Sequence, residues 1–89
     1  MATMLVQHHV KDYAAWRSVF DSMADLRKSN GELSHRIYRD AMDPNKITVF
    51  NTWDTIERAE NFGKSDELKA AMGKAGVEGA PTISFLKEA

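Results

Sequence analysis

Three polar side chains and one indole fall where an alternating pattern would bury them: His8, His35, Asn51 and Trp53. His8 follows Met4 and Val6 at a spacing of two, His35 precedes Ile37, and Asn51 and Trp53 continue the row of Ile47 and Val49. An imidazole or an amide among Val, Ile and Phe costs free energy unless it is hydrogen-bonded. These groups therefore either satisfy one another or line a cavity, where an imidazole could move a proton near neutral pH. Trp16, Phe20, Phe62 and Met72 recur at helical spacing and would wall such a cavity, although stripes of this kind also serve simply as core.

Other chemistries are poorly served. The chain has no cysteine, so disulfides, thiolate metal sites and thiol nucleophiles are excluded. His8 and His9 are adjacent on a strand and point to opposite faces. His8 and His35 belong to strands separated by a third, at least about 9 to 10 Å apart, and a shared metal needs nitrogens near 2 Å. No metal site is expected. Phosphate-loop, dinucleotide, H-E-x-x-H and nucleophile-elbow patterns are missing, and Ser84 falls on the face opposite His8. Lys and Arg number 12 against 13 Asp and Glu, a net charge of -1, which argues against a nucleic-acid surface. No apolar run is long enough to span a membrane and Met1–Val10 does not read as a leader, so a cytoplasmic location is expected.

The elements that must position these residues are legible from spacing. Thr3–Val10 alternates as a strand. Asp12 offers a cap to a helix carrying Tyr13, Trp16, Val19, Phe20, Met23 and Leu26 inward, with Arg27 and Lys28 outside the stripe, and Asn30-Gly31 ends it. Leu33–Asp40 and Lys46–Trp53 form a hairpin about Asp43-Pro44-Asn45. Asp54 opens a second helix with Glu57 three residues on, as in a capping box. Gly63 and Ser65 break or kink it, and Pro81 opens a last strand, Thr82–Lys87. Residues 1–89 are thus one α+β domain of ferredoxin-like βαββαβ order, a four-stranded antiparallel sheet in order 4-1-3-2 with both helices on one face.

Alternation also sorts the sheet into two faces. Met4, Val6, His8, Val10, Leu33, His35, Ile37, Ile47, Val49, Asn51, Trp53, Ile83 and Phe85 form the more apolar set, expected against the helices. The other set carries Leu5, Tyr38, Phe50 and Leu86 among Gln7, His9, Arg36 and several Thr. It is too apolar for water and too polar for a dry core, which predicts a homodimer through this face. An 89-residue chain has much to gain from that burial.

The runs Val10-Lys11-Asp12-Tyr13-Ala14-Ala15-Trp16, Asp43-Pro44-Asn45, Trp53-Asp54, Ser65-Asp66-Glu67-Leu68-Lys69-Ala70-Ala71-Met72 and Ala75-Gly76-Val77 resemble the dimeric α+β-barrel superfamily, specifically its antibiotic-biosynthesis-monooxygenase-like group. The resemblance covers nearly the whole chain. It implies two ferredoxin-like sheets paired into a barrel and a small apolar or aromatic ligand held between sheet and helices. It also implies a reaction run without a cofactor. In the heme-degrading branch an Asn on strand one, a Trp ending strand three and a His on helix two serve the heme. Trp53 fits that pattern, but His8 and Met72 stand at the other two positions, so no heme is expected. For a cofactor-free reaction the resemblance and the face sorting together suggest His8 as base, Asn51 as donor to the developing oxyanion and Trp53 as aromatic wall. Trp16, Phe20, His35, Phe62 and Met72 would bind substrate. The competing reading is a non-catalytic dimeric module whose His8 and Asn51 only satisfy each other.

Overall fold

The computed structural model describes Met1–Ala89 as four strands and four helical segments. They run β1 (Ala2–Val10), α1 (Tyr13–Ser22), α2 (Ala24–Ser29), β2 (Glu32–Arg39), β3 (Lys46–Trp53), α3 (Ile56–Gly63), α4 (Asp66–Lys74) and β4 (Val77–Lys87). The sheet is antiparallel in order β2-β3-β1-β4, the ferredoxin-like arrangement expected from the sequence. Three of the four helices, all but α2, start where a side chain takes up a free amide. Asp12 accepts from the Ala15 N–H at 2.9 Å, and Ser65 accepts from Leu68 at 3.2 Å. The cap of α3 is Thr55, which accepts from Arg58. Asp54, expected in that role, instead pairs with the Arg58 guanidinium at 2.7 Å.

Three expectations are corrected by irregular backbone. The single helix expected after Asp12 is two, because Met23 leaves helical geometry at φ -97°, ψ 9°. Beyond that break the helical phase is reset. Arg27 turns inward to 4% exposure while Leu26 is 36% exposed. In β2 a bulge lies between Glu32 and Ser34, so Leu33 is the extra residue and is 56% exposed. Glu32, opposite Trp53 in register, takes the inward place. A bulge re-aims side chains in this way at the cost of one ladder step. Finally, β4 begins at Val77 rather than at Pro81. Its pairing with β1 jumps from Gln7↔Thr82 to His9↔Glu78, and Gly79, at φ +70°, supplies the left-handed turn that residues with a Cβ avoid. This second bulge lies beside His8.

The alternation of β1 and β3 holds. Ala2, Met4, Val6, His8 and Val10 are buried on one side, as are Ile47, Val49, Asn51 and Trp53. Against them pack Trp16, Ala59, Phe62 and Ala75. On the outer face Tyr38, Phe50 and Leu86 are exposed, with the Tyr38 and Phe50 rings edge to face at 5.9 Å. No helix is long and apolar enough to cross a membrane.

Candidate functional site

Between the inner sheet face and the helices lies a mostly apolar cavity of about 60 Å³. Met4, Val6, His8, Val49 and Asn51 form its floor, and Trp16, Phe20, Phe62, Leu68 and Met72 its walls and roof. Of the residues singled out by sequence, the structure thus brings His8, Asn51, Trp16, Phe20, Phe62 and Met72 to one space. Trp53 and His35 do not line it. Trp53 is fully buried behind Phe62, ring centroids 5.0 Å apart, and its Nε1–H has no partner. His35 sits at the sheet edge, its ring 5.1 Å edge-on from Phe20.

His8 is 8% exposed and meets the Trp16 ring edge at 5.6 Å. Its Nδ1 is buried without a hydrogen-bond partner. Burial pushes the imidazole pKa below its ordinary 6.5, outweighing a backbone hydrogen bond that acts the other way. The ring is therefore neutral at physiological pH, with Nδ1 unpaired beneath the cavity floor.

His8 and Asn51 do not touch. The β1–β3 register sets His8 opposite Ile47 and Met4 opposite Asn51, four residues or about 13 Å along the strand. They occupy opposite ends of the cavity. At the Asn51 end sits a network the spacing did not reveal. Asn51 Nδ2 donates to Glu32 at 2.5 Å, and Arg27 Nε donates to both Glu32 oxygens at 3.1 and 3.2 Å. Arg27 also donates from Nη1 to the Phe20 carbonyl at 2.6 Å and lies 3.7 Å over the Phe20 ring. The His35 ring is 3.3 Å from Glu32. The ion pair is 4% and 8% exposed on its two sides, so it is a buried pair carrying extra hydrogen bonds, the condition under which such pairs persist. A signal existed in the sequence: Arg27 and Glu32 straddle the Asn30-Gly31 helix stop, and the two turn inward together.

His9, on the outer face, has a different environment. It bridges Glu78 at 2.9 Å and Asp43 at 3.1 Å, tying the β2–β3 turn to β4. The hydrogen bond to Glu78, supported by the charge of Asp43, raises its pKa. It faces away from the cavity. No cluster of His, Asp and Glu is arranged to hold a metal, and the heme pattern does not fit, since α4 offers the Met72 thioether in place of an imidazole.

None of the curated proteins matches the chain in sequence. Solved structures do match in fold. A proposed antibiotic biosynthesis monooxygenase from Caulobacter crescentus superposes with TM-score 0.77 at 22% identity, over 99% of this chain and 89% of that one. SnoaB, a cofactor-independent oxygenase from Streptomyces nogalater, gives 0.78 at 14% identity, over 99% and 92%. A conserved protein from Methanosarcina mazei gives 0.77 at 15%, over 100% and 94%. The family described as antibiotic biosynthesis monooxygenase matches residues 4–74, from β1 to the end of α4, and by that match the chain belongs to it.

Proposed function

We propose that the domain binds a small, largely apolar ligand between sheet and helices and acts on it without a cofactor, by monooxygenase or isomerase chemistry, with His8 as general base. One observation carries this reading: an apolar cavity whose floor presents a buried imidazole with an unpartnered nitrogen. Evolution tolerates an unsatisfied buried polar group sparingly, and a neutral imidazole in a dry pocket is equipped to take a proton from a phenol or an acidic carbon. The charge left behind spreads through a conjugated ligand toward the far end and is balanced by the imidazolium formed at His8. There the Asn51 amide, held by Glu32, keeps a second N–H to donate. At about 60 Å³ the cavity is smaller than the roughly 150 Å³ that admits benzene. An aromatic ligand therefore enters by displacing the half-buried side chains at the helix side, Phe20, Met23, Leu68 and Met72. Methionine is suited to such movement.

A panel of phenols, quinones and lactones tests this by thermal shift, alongside dioxygen uptake and product spectra. His8→Gln is expected to keep the ligand-induced shift while turnover falls by about 10² to 10⁴. Because the folded imidazole titrates below 6.5, wild-type turnover should be flat through neutral pH. It should fall only as the pH drops under that value and the ring gains its proton. Turnover by His8→Gln at the wild-type rate would remove His8 from the mechanism. No shift with any class would leave a dimeric module without a ligand.

The working unit in this reading is a homodimer. Leu5, Tyr38, Phe50 and Leu86 give the outer sheet face more apolar surface than a solvated sheet needs, and a second copy laid sheet to sheet covers it. Sedimentation at micromolar concentration should give twice the chain mass; a monomer there would refute the pairing.

A further inference from the structure

Arg27 is 4% exposed and lines the cavity, yet its hydrogen bonds use only Nε and Nη1. Its Nη2 has no partner in the protein. Unlike His8 Nδ1 and Trp53 Nε1, it is not sealed from solvent, so it is free to meet a ligand atom, and Arg27 is among the residues that line the cavity. The opposite end carries His8, whose Nδ1 is buried without a partner. Between the two polar ends, Trp16 and Phe20 stack at 5.1 Å, so the site is an apolar slot with one donor end and one imidazole end.

The charge balance at the donor end is already closed. Glu32 neutralises Arg27 from 3.1 Å and is itself fixed by Asn51. A ligand carboxylate arriving at Nη2 would add an uncompensated negative charge to a buried, neutral pair, which is costly. An uncharged carbonyl oxygen would gain a charge-assisted hydrogen bond and add no net charge. We infer that Arg27 and Glu32 together form the specificity end of the site: Arg27 binds an uncharged acceptor oxygen of the ligand, and Glu32 excludes carboxylates. This rests on the ligand-binding reading of the cavity and adds the ligand class: an apolar body carrying a ketone, quinone or lactone carbonyl at the end away from His8.

Three probes of similar size separate the two claims: toluene, acetophenone and benzoate. They are titrated at pH 8, above the ordinary imidazole range, with binding read from the NMR shifts of the His8 and Trp16 rings. Wild type is expected to bind acetophenone about tenfold more tightly than toluene, and benzoate more weakly than either. Glu32→Gln keeps an amide oxygen for Asn51 and Arg27 while uncovering the Arg27 charge. Benzoate affinity should then rise at least tenfold and overtake acetophenone. In Arg27→Gln/Glu32→Gln, which carries no charge at this end, acetophenone and toluene should bind alike. Toluene binding with an acetophenone preference that survives the double substitution would overturn the assignment and leave the cavity intact as a binding site. Wild type preferring benzoate would overturn the exclusion by Glu32. Failure of all three probes to shift the His8 and Trp16 signals would overturn the cavity reading, and this inference with it.

Discussion

Trp53→Ala is expected to cost about 3 to 5 kcal/mol, a large share of the stability of a domain this small. Trp53 is the largest fully buried side chain and ends β3 opposite Ala2 of β1 and Glu32 of β2. It also holds Phe62 of α3 against the sheet at 5.0 Å. Cutting it to a methyl leaves a void that strand ends and a helix cannot close without shifting. Total stabilities run at roughly 0.05 to 0.15 kcal/mol per residue, and at about 4 to 8 °C per kcal/mol the variant should melt about 12 to 40 °C below wild type. Trp53→Phe is the informative companion. It keeps a ring against Phe62 and removes an indole N–H that is buried without a partner, a group whose burial costs about 1 to 3 kcal/mol. The lost ring volume and the relieved N–H offset each other, and urea denaturation should place this variant within about 1 kcal/mol of wild type. A Phe variant as unstable as the Ala variant would mean that the indole N–H has a partner in solution. Since Trp53 lies behind Phe62 and outside the cavity, Trp53→Phe should leave probe affinity at His8 and Trp16 nearly unchanged.

That prediction marks how far the sequence could be read. A period of two is enough to place His8, Asn51 and Trp53 on the inner face, because β1 and β3 pair in unbroken register from Ala2↔Trp53 to His9↔Lys46. Periodicity assigns a face but not a depth. It could not tell that Phe62 would stand between Trp53 and the cavity, or that four residues of register would part His8 from Asn51. The larger omissions lie where backbone irregularity resets the phase. The break at Met23 turns Arg27 in and Leu26 out, and the bulge at Leu33 exchanges its expected place with Glu32. Both events exchange an apolar residue for a charged one, against the hydrophobic pattern. Each is intelligible only through the other, since Glu32 supplies the counter-charge that lets Arg27 be buried. A reading that scores residues one at a time rejects both.

The same mutual dependence makes Glu32→Ala the second substitution with a large expected effect. Alone, it leaves the Arg27 guanidinium 4% exposed with no counter-charge and strips Asn51 of its acceptor. Breaking a buried pair from one side costs about 3 to 5 kcal/mol. Arg27→Met, alone, should be nearly as damaging, because it strands the Glu32 carboxylate in the same place. Together, as Arg27→Met/Glu32→Leu, the pair is replaced by apolar groups of similar bulk, and most of the loss should return. What does not return should be about the cost of one orphaned amide, roughly 1 to 3 kcal/mol. Asn51 Nδ2 keeps its burial and loses its partner in every variant that lacks Glu32. Urea midpoints at constant slope would give the coupling between the two positions directly. Strong coupling with a residual gap, closed by adding Asn51→Leu, would show that the three side chains stand or fall as one buried unit. Additive losses would show that Arg27 and Glu32 are each satisfied by other partners. The guanidinium would then need neither the carboxylate nor a ligand oxygen to be buried where it is.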